Sequence, residues 1–389
     1  MFAKKLLTVA LCASMGVAAV ANAASFQGHD VVSVERVQPA ATFSFPLYQT
    51  AELDFAQPAA QAKSNEYWFT VSGDELNKGV AIQTTAPGAV LLVTRNGESS
   101  APLSVNELSL TVNGSDDNAV ETLYSEEEMN AVGIFSNAIA VKAAAAAEGD
   151  MTLSYAEKLD SKQQFVVSVK EKNSQHLMAL SSPKMNYLQG ETLTFNAAIE
   201  TPEKALAMTQ AKAFIVSPSG KKVPVSAAIA KDGSVTVKHS EFARVEAPIN
   251  GLYELQLEGY ATDAEKTVRR MAKVAFAMAP QTAELADVTA SVVKGTPRAN
   301  VAVSVNEPGR YEVRAVLYGT NKAGEQVAVM ETHSATFLKA GEQSIAVNFD
   351  AKILAASGAS APFSVNHVRL NDQTRLSNLS VVDTAVDAK

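Results

Sequence analysis

The chain has 389 residues, 33 basic against 41 acidic side chains for a formal charge of −8, and a single cysteine. An acidic chain without a basic stripe is a poor partner for nucleic acid or anionic lipid. One cysteine excludes a disulfide within the chain and a thiolate metal cluster, so stability must come from burial, for which the length allows about two to four cores.

At the N-terminus, Lys4 and Lys5 precede an uncharged apolar stretch over 6–20, and Ala21-Asn22-Ala23 follows. A positive start, a short apolar run and a small-x-small site predict a signal peptide over 1–23, cleaved after Ala23. The expected destination is the periplasm or the medium. Cys12 is an alternative, as the acceptor of a lipid anchor, but that chemistry wants a small residue before it and Leu11 stands there. Cleavage removes the cysteine and leaves 31 basic against 41 acidic residues. No later stretch approaches the roughly twenty apolar residues of a membrane span, so no membrane insertion is expected.

Beyond the leader, short runs rich in Val, Thr, Phe and Tyr alternate with Gly, Pro, Asn and Asp. They predict strands over 67–71, 90–94, 108–112, 165–169, 192–199, 213–216, 252–257, 268–277, 299–305, 311–318, 326–331 and 344–349. That spacing belongs to sandwiches, not to alternating α/β units. In Tyr311-Glu312-Val313-Arg314-Ala315-Val316 the period of two sends alternate side chains to a core and leaves Glu312 and Arg314 in water. Helix is suggested only over 126–135 and 138–147; the alanine run 143–147 reads as a helix or linker ending at Gly149.

Turn chemistry gives the domain plan. A bend before Gly190-Glu191 opens an immunoglobulin-like sandwich, with turns at Ser217-Pro218-Ser219-Gly220 and Lys231-Asp232-Gly233-Ser234 inside it. Pro280 ends that unit, and Asn306-Glu307-Pro308-Gly309 and Asn321-Lys322-Ala323-Gly324 repeat the grammar. The expected fold is all-β, three β-sandwich domains in tandem. The N-terminal β-rich domain covers 24–172 and carries a short helical segment; immunoglobulin-like domains cover 173–281 and 282–389.

Four phrases carry a resemblance: Glu66-Tyr67-Trp68-Phe69-Thr70-Val71-Ser72-Gly73, Thr84-Thr85-Ala86-Pro87-Gly88-Ala89-Val90, Tyr187-Leu188-Gln189-Gly190-Glu191 and Arg369-Leu370-Asn371-Asp372-Gln373-Thr374-Arg375-Leu376. In that order they resemble a bacterial secreted family catalogued as domain-of-unknown-function family 4785. The resemblance implies an N-terminal β-rich domain followed by two immunoglobulin-like domains, and it brings no active site.

Candidate chemistry is sparse. His29, His176, His239, His333 and His367 are scattered, with no metal-ligand spacing. There is no Gly-x-Ser-x-Gly elbow. Ser-x-x-Lys occurs at Ser181 to Lys184 and at Ser219 to Lys222, but Pro183 puts the first in a turn, not in a helix that would align the pair. Asp116, Asp117 and Asn118 could offer oxygens to calcium, without the alternating acids of a calcium loop. Trp68, the one tryptophan, shares its strand with Tyr67 and Phe69 on the opposite face, and packing under a loop or between domains is expected for it. No catalytic, cofactor-binding or metal residue is assigned. The reading is an exported, non-enzymatic protein that binds a protein or polysaccharide partner. A hydrolase with a site in the N-terminal domain and a carbohydrate-binding module are the alternatives.

Overall fold

The computed structural model describes residues 38–48, 53, 59–97, 102–112, 118–133, 137–242 and 244–389. The expected signal peptide with Cys12, His29, and Asp116 and Asp117 of the candidate calcium turn lie outside the described residues. The fold is all-β, and the described residues form three large cores, each between two sheets, with a small satellite cluster at Met129.

In the first unit, Glu66–Ser72, Gln164–Lys170, Val90–Asn96, Ala138–Ala143 and Val120–Tyr124 pair in that order and face the smaller sheet Val80–Gln83, Asp150–Tyr155 and Leu108–Val112. In the second, Lys222–Val225, Met208–Val216, Tyr253–Asp263 and Lys266–Ala279 face a sheet centred on Val235–His239, Leu193–Glu200 and Leu177–Ser182. In the third, Gln326–Leu338, Gly309–Thr320, Ser360–Asp372 and Ser377–Val382 face Ala283–Val293, Thr296–Val305 and Gly341–Asn348. Each strand named in the sequence reading falls within or overlaps one of these.

Two departures concern the predicted helices. The segment Ala138–Ala143 is a strand, with Ile139 and Val141 buried in the first core and Ala140 buried on the other side beneath Met129. A strand covered on both faces needs small side chains, so context overrides the helix preference of alanine. The rest of the alanine run is a turn closed by the Ala147 amide on the Ala144 carbonyl at 2.9 Å. The other predicted helix does form, over Glu126–Ala131, with Ser125 and Glu128 as a capping box. Two helices, Gly73–Lys78 and Ala351–Ser357, were not anticipated.

The linear domain plan assigns 24–172 to one unit, yet the start of the chain pairs elsewhere. Ala41–Pro46 is the edge strand beside Gln326–Leu338 in the third unit. Ala60–Ser64 is the edge strand beside Leu177–Ser182 in the second. Only at Glu66 does the chain enter the first unit, so the described stretches 41–48 and 60–72 together reach all three, as a strap. The strap strand meets the third unit through hydroxyls, Thr42 Oγ1 to Ser334 Oγ at 3.1 Å and Ser44 Oγ to Thr332 Oγ1 at 2.7 Å. Arg310 holds its entry by donating to the Pro39 carbonyl at 3.1 Å.

The first and second units share one ten-stranded sheet, joined at the partner pair Glu66 and Met271. At this seam Arg270 and Glu171 are both fully buried, with Nη1 2.7 Å from Oε1. Beside them Arg269 lies over the rings of Tyr67 and Phe69, 4.7 Å from each centroid, and pairs with Glu258. Burial raises the Tyr67 hydroxyl well above the usual phenol range. Trp68 is half-buried against the first core, and its backbone N–H is directed at Met271 Sδ across the seam. At the second joint, Leu188 packs on the third core, and the fully buried Asp372 accepts from Thr282 Oγ1 at 2.7 Å.

Candidate functional site

The outer sheet face of the third unit is built by strict alternation along Gly309–Thr320. Tyr311, Val313, Ala315 and Leu317 enter the core, which turns Glu312, Arg314, Val316 and Tyr318 to the opposite face. Antiparallel register then sets side chains in rows. Phe43, His333, Arg314 and Arg369 form one row; Phe45, Glu331, Val316 and Asn366 form the next. A third row runs Ala328, Tyr318, Ser364 and Asp387.

Phe43 and Phe45, on the strap strand, are 47% and 50% exposed. Their rings meet edge to face at 5.6 Å, and both pack on His333, at 5.2 Å and 5.4 Å. His333 Nδ1 lies 3.0 Å from Glu312 Oε1, and its Nε2 lies 3.6 Å from Glu331 Oε2. Glu312 also accepts from Arg314 Nε at 3.0 Å, and Glu331 from Arg369 Nη2 at 2.7 Å. Glu312, expected in water, is therefore 3% exposed, because side chains from two distant strands close over it. The result is an array of paired charges of both signs, held in fixed geometry and edged by two open aromatic rings. Such a surface offers charge-assisted hydrogen bonds and apolar contact side by side, without exposing an unpaired buried charge.

The sequence candidates are not brought together. His176 pairs with Asp263, His239 packs against Phe242, and His367 stands 3.2 Å from Asp383. Ser181 lies on a strand while Lys184 reaches Glu191, and Ser219 bonds Glu246 while Lys222 lies over Phe214. Burial holds the Lys222 ammonium below the usual lysine range. Among the described residues, no group of three or more His, Cys, Asp or Glu converges on a metal position. None of the described helices is long and apolar enough to cross a membrane. The polar cluster at the edge of the first unit, Thr85, Glu171, Ser174 and Arg270, is buried within the seam.

Residues 33–171 match a family described as the N-terminal domain of a domain of unknown function (DUF4785), and residues 282–389 match the C-terminal domain of that family. A crystal structure of a DUF4785 family protein from Legionella pneumophila superposes with a TM-score of 0.72 at 18% identity, covering 90% of this chain and 93% of that one. A marsupial T cell receptor matches at 6% identity with a TM-score of 0.22, over 56% of this chain and 99% of its own, too slight a likeness to carry an argument. No curated protein matches the sequence.

Proposed function

The chain belongs to the DUF4785 family, which has a shared fold and no assigned reaction, and from that premise we propose that it is an exported, non-enzymatic protein that binds a protein or glycan partner through the outer face of its third sheet. The observation that carries this reading is the pair of half-exposed rings, Phe43 and Phe45, seated on the His333, Glu312 and Arg314 array. Aromatic and arginine side chains in such arrangements dominate binding energy at interfaces. Export rests on the signal-peptide pattern over 1–23, with periplasm or medium as the destination. The strap supplies the aromatic edge, so the platform exists only when the start of the chain lies on the third unit.

The test is partner capture. The mature chain, tagged and crosslinked, is incubated with envelope and culture-fluid extracts beside the double variant Phe43→Ser, Phe45→Ser. Both substitutions fall on half-exposed positions and leave the hydroxyl ladder intact. A saturable partner retained about tenfold less by the variant is the expected result. Equal retention by the two proteins sinks the reading.

A further inference from the structure

Beside that platform, the strand ladder breaks around one residue. Register shifts fall between Leu317 and Tyr318 on one neighbouring strand, and between Arg314 and Val316 and between Tyr318 and Thr320 on the other. Bulges bend strands and re-aim side chains, and they concentrate next to sites. Here they open a cavity of about 460 Å³, lined by Tyr318, Gln326, Phe363, Ser364, Asn366 and Asp387 among others. His367, held at φ 52° in one of these bulges, turns its ring to within 6.3 Å of Tyr318. Gln326 fixes a wall by donating to Thr320 Oγ1 at 2.9 Å and to the Pro362 carbonyl at 3.3 Å. The Asn366 side-chain oxygen is buried and accepts no hydrogen bond.

We propose that this cavity is a binding site for a neutral pyranose unit of a glycan, with Tyr318 as the stacking platform and Ser364 and Asp387 as hydroxyl partners; it rests on the binding reading above and gives that reading a ligand class. The row Tyr318, Ser364, Asp387 sets an aromatic face, a hydroxyl and a carboxylate on adjacent strands. Strands lie about 4.8 Å apart, so these groups span the width of a sugar ring. The C–H face of a pyranose suits an aromatic ring, and its hydroxyls can donate to the Ser364 hydroxyl and to the exposed Asp387 carboxylate, which line the cavity. The lining holds a carboxylate and no cation, which disfavours phosphate- or sulfate-bearing ligands. An ammonium ligand has less to gain, because Asp387 is exposed to water, where an ion pair is weak. The volume falls within the range of small-molecule sites.

The test titrates the full mature chain with neutral oligosaccharides of glucose, galactose, mannose and N-acetylglucosamine, in parallel with tetramethylammonium, while amide NMR shifts are followed. Saturable shifts at 318, 364 and 366 with at least one sugar are expected. Tyr318→Ala should weaken that binding by about tenfold or more, and Tyr318→Phe, which keeps the ring, should restore most of it. Asp387→Asn should weaken sugar binding several-fold without abolishing it, because the amide keeps one acceptor oxygen. No saturable shift with any of the sugars overturns the inference, as does unchanged binding by a folded Tyr318→Ala. Binding of tetramethylammonium alone, lost in Asp387→Asn, overturns it in favour of a cation site. A partner that depends on Phe43 and Phe45 while no sugar binds leaves the binding reading standing and removes this one.

Discussion

Arg270→Ala should cost about 3–5 kcal/mol of stability, because it strands a buried carboxylate. All of the N–H groups of Arg270 have acceptors. Nη1 donates to Glu171 Oε1 at 2.7 Å and to the Arg269 carbonyl, Nη2 to Thr85 Oγ1 and Ser174 Oγ at 2.7 Å each, and Nε to the His176 carbonyl at 2.9 Å. The second oxygen of Glu171 accepts from the Thr85 amide at 2.6 Å and the Ala86 amide at 3.0 Å. Burial lowers the proton affinity of Arg270 below the usual guanidinium range, and the charge of Glu171 opposes it. Lysine cannot reproduce that fork, so Arg270→Lys should lose most of the same stability. Replacing both partners, as Arg270→Met with Glu171→Met, should recover much of it, since no charge is then left unpaired. Chemical denaturation of the three variants checks this. A loss under about 1 kcal/mol for Arg270→Ala would mean that the seam is not closed by this pair.

At the other joint, Asp372→Ala should cost about 2–4 kcal/mol. The Asp372 carboxylate accepts from Thr282 Oγ1 at 2.7 Å, from the Arg375 amide at 3.0 Å and from Arg375 Nη1 at 2.9 Å. It thereby ties the entry of the third unit to the turn after Ser360–Asp372. Tyr311, pushed up to about 12 by burial, donates to the Thr282 carbonyl in the same knot. The loss should be smaller than for Arg270→Ala, because the stranded Arg375 keeps Glu307 and is 20% exposed, whereas the Glu171 stranded by Arg270→Ala is fully buried. Asp372→Asn, which keeps the shape and one acceptor, should fall between Asp372→Ala and the parent in thermal midpoint. A midpoint for Asp372→Ala equal to the parent would contradict the role assigned to the knot.

The four phrases that carried the family resemblance turn out to mark the joints. Glu66 meets Met271, Thr85 and Ala86 bind Glu171, Leu188 packs on the third core, and Asp372 holds Thr282. Glu66, Thr85 and Leu188 each meet a residue of another unit, while Asp372 fixes the first residue of its own, and a sequence read along its length does not show which. The interior strands were legible because period two, Gly and Pro are local signals. The strap was not, because its pattern reads backwards. In Ala41–Pro46 the hydroxyls of Thr42 and Ser44 face the sheet's buried Ser334 and Thr332, while the phenylalanines stay open.

The candidate site suffered from the same non-locality. Glu312 was read as a solvated residue of an alternating strand, which is what its neighbours in sequence imply. His333 and Asn371, brought over it from later strands, are what bury it. Tyr318, Ser364 and Asp387 become one row only through three register shifts and a pairing made at the end of the chain. No spacing rule within a single strand contains that information. The Ser72 and Glu75 pair, by contrast, was a readable capping signature for the unanticipated helix Gly73–Lys78.

The central claim, that a partner is bound on the outer face of the third sheet, is tested most directly by site-specific photocrosslinking. A photoreactive phenylalanine analogue is placed at Phe45 on that face, and in separate proteins at the exposed positions Val120 in the first unit and Ile249 in the second. Each protein is irradiated in the envelope and culture-fluid fractions. A discrete crosslinked product from position 45, absent from 120 and 249, is the expected result. Products from 120 or 249 with none from 45 would contradict the account and move the binding surface to another unit.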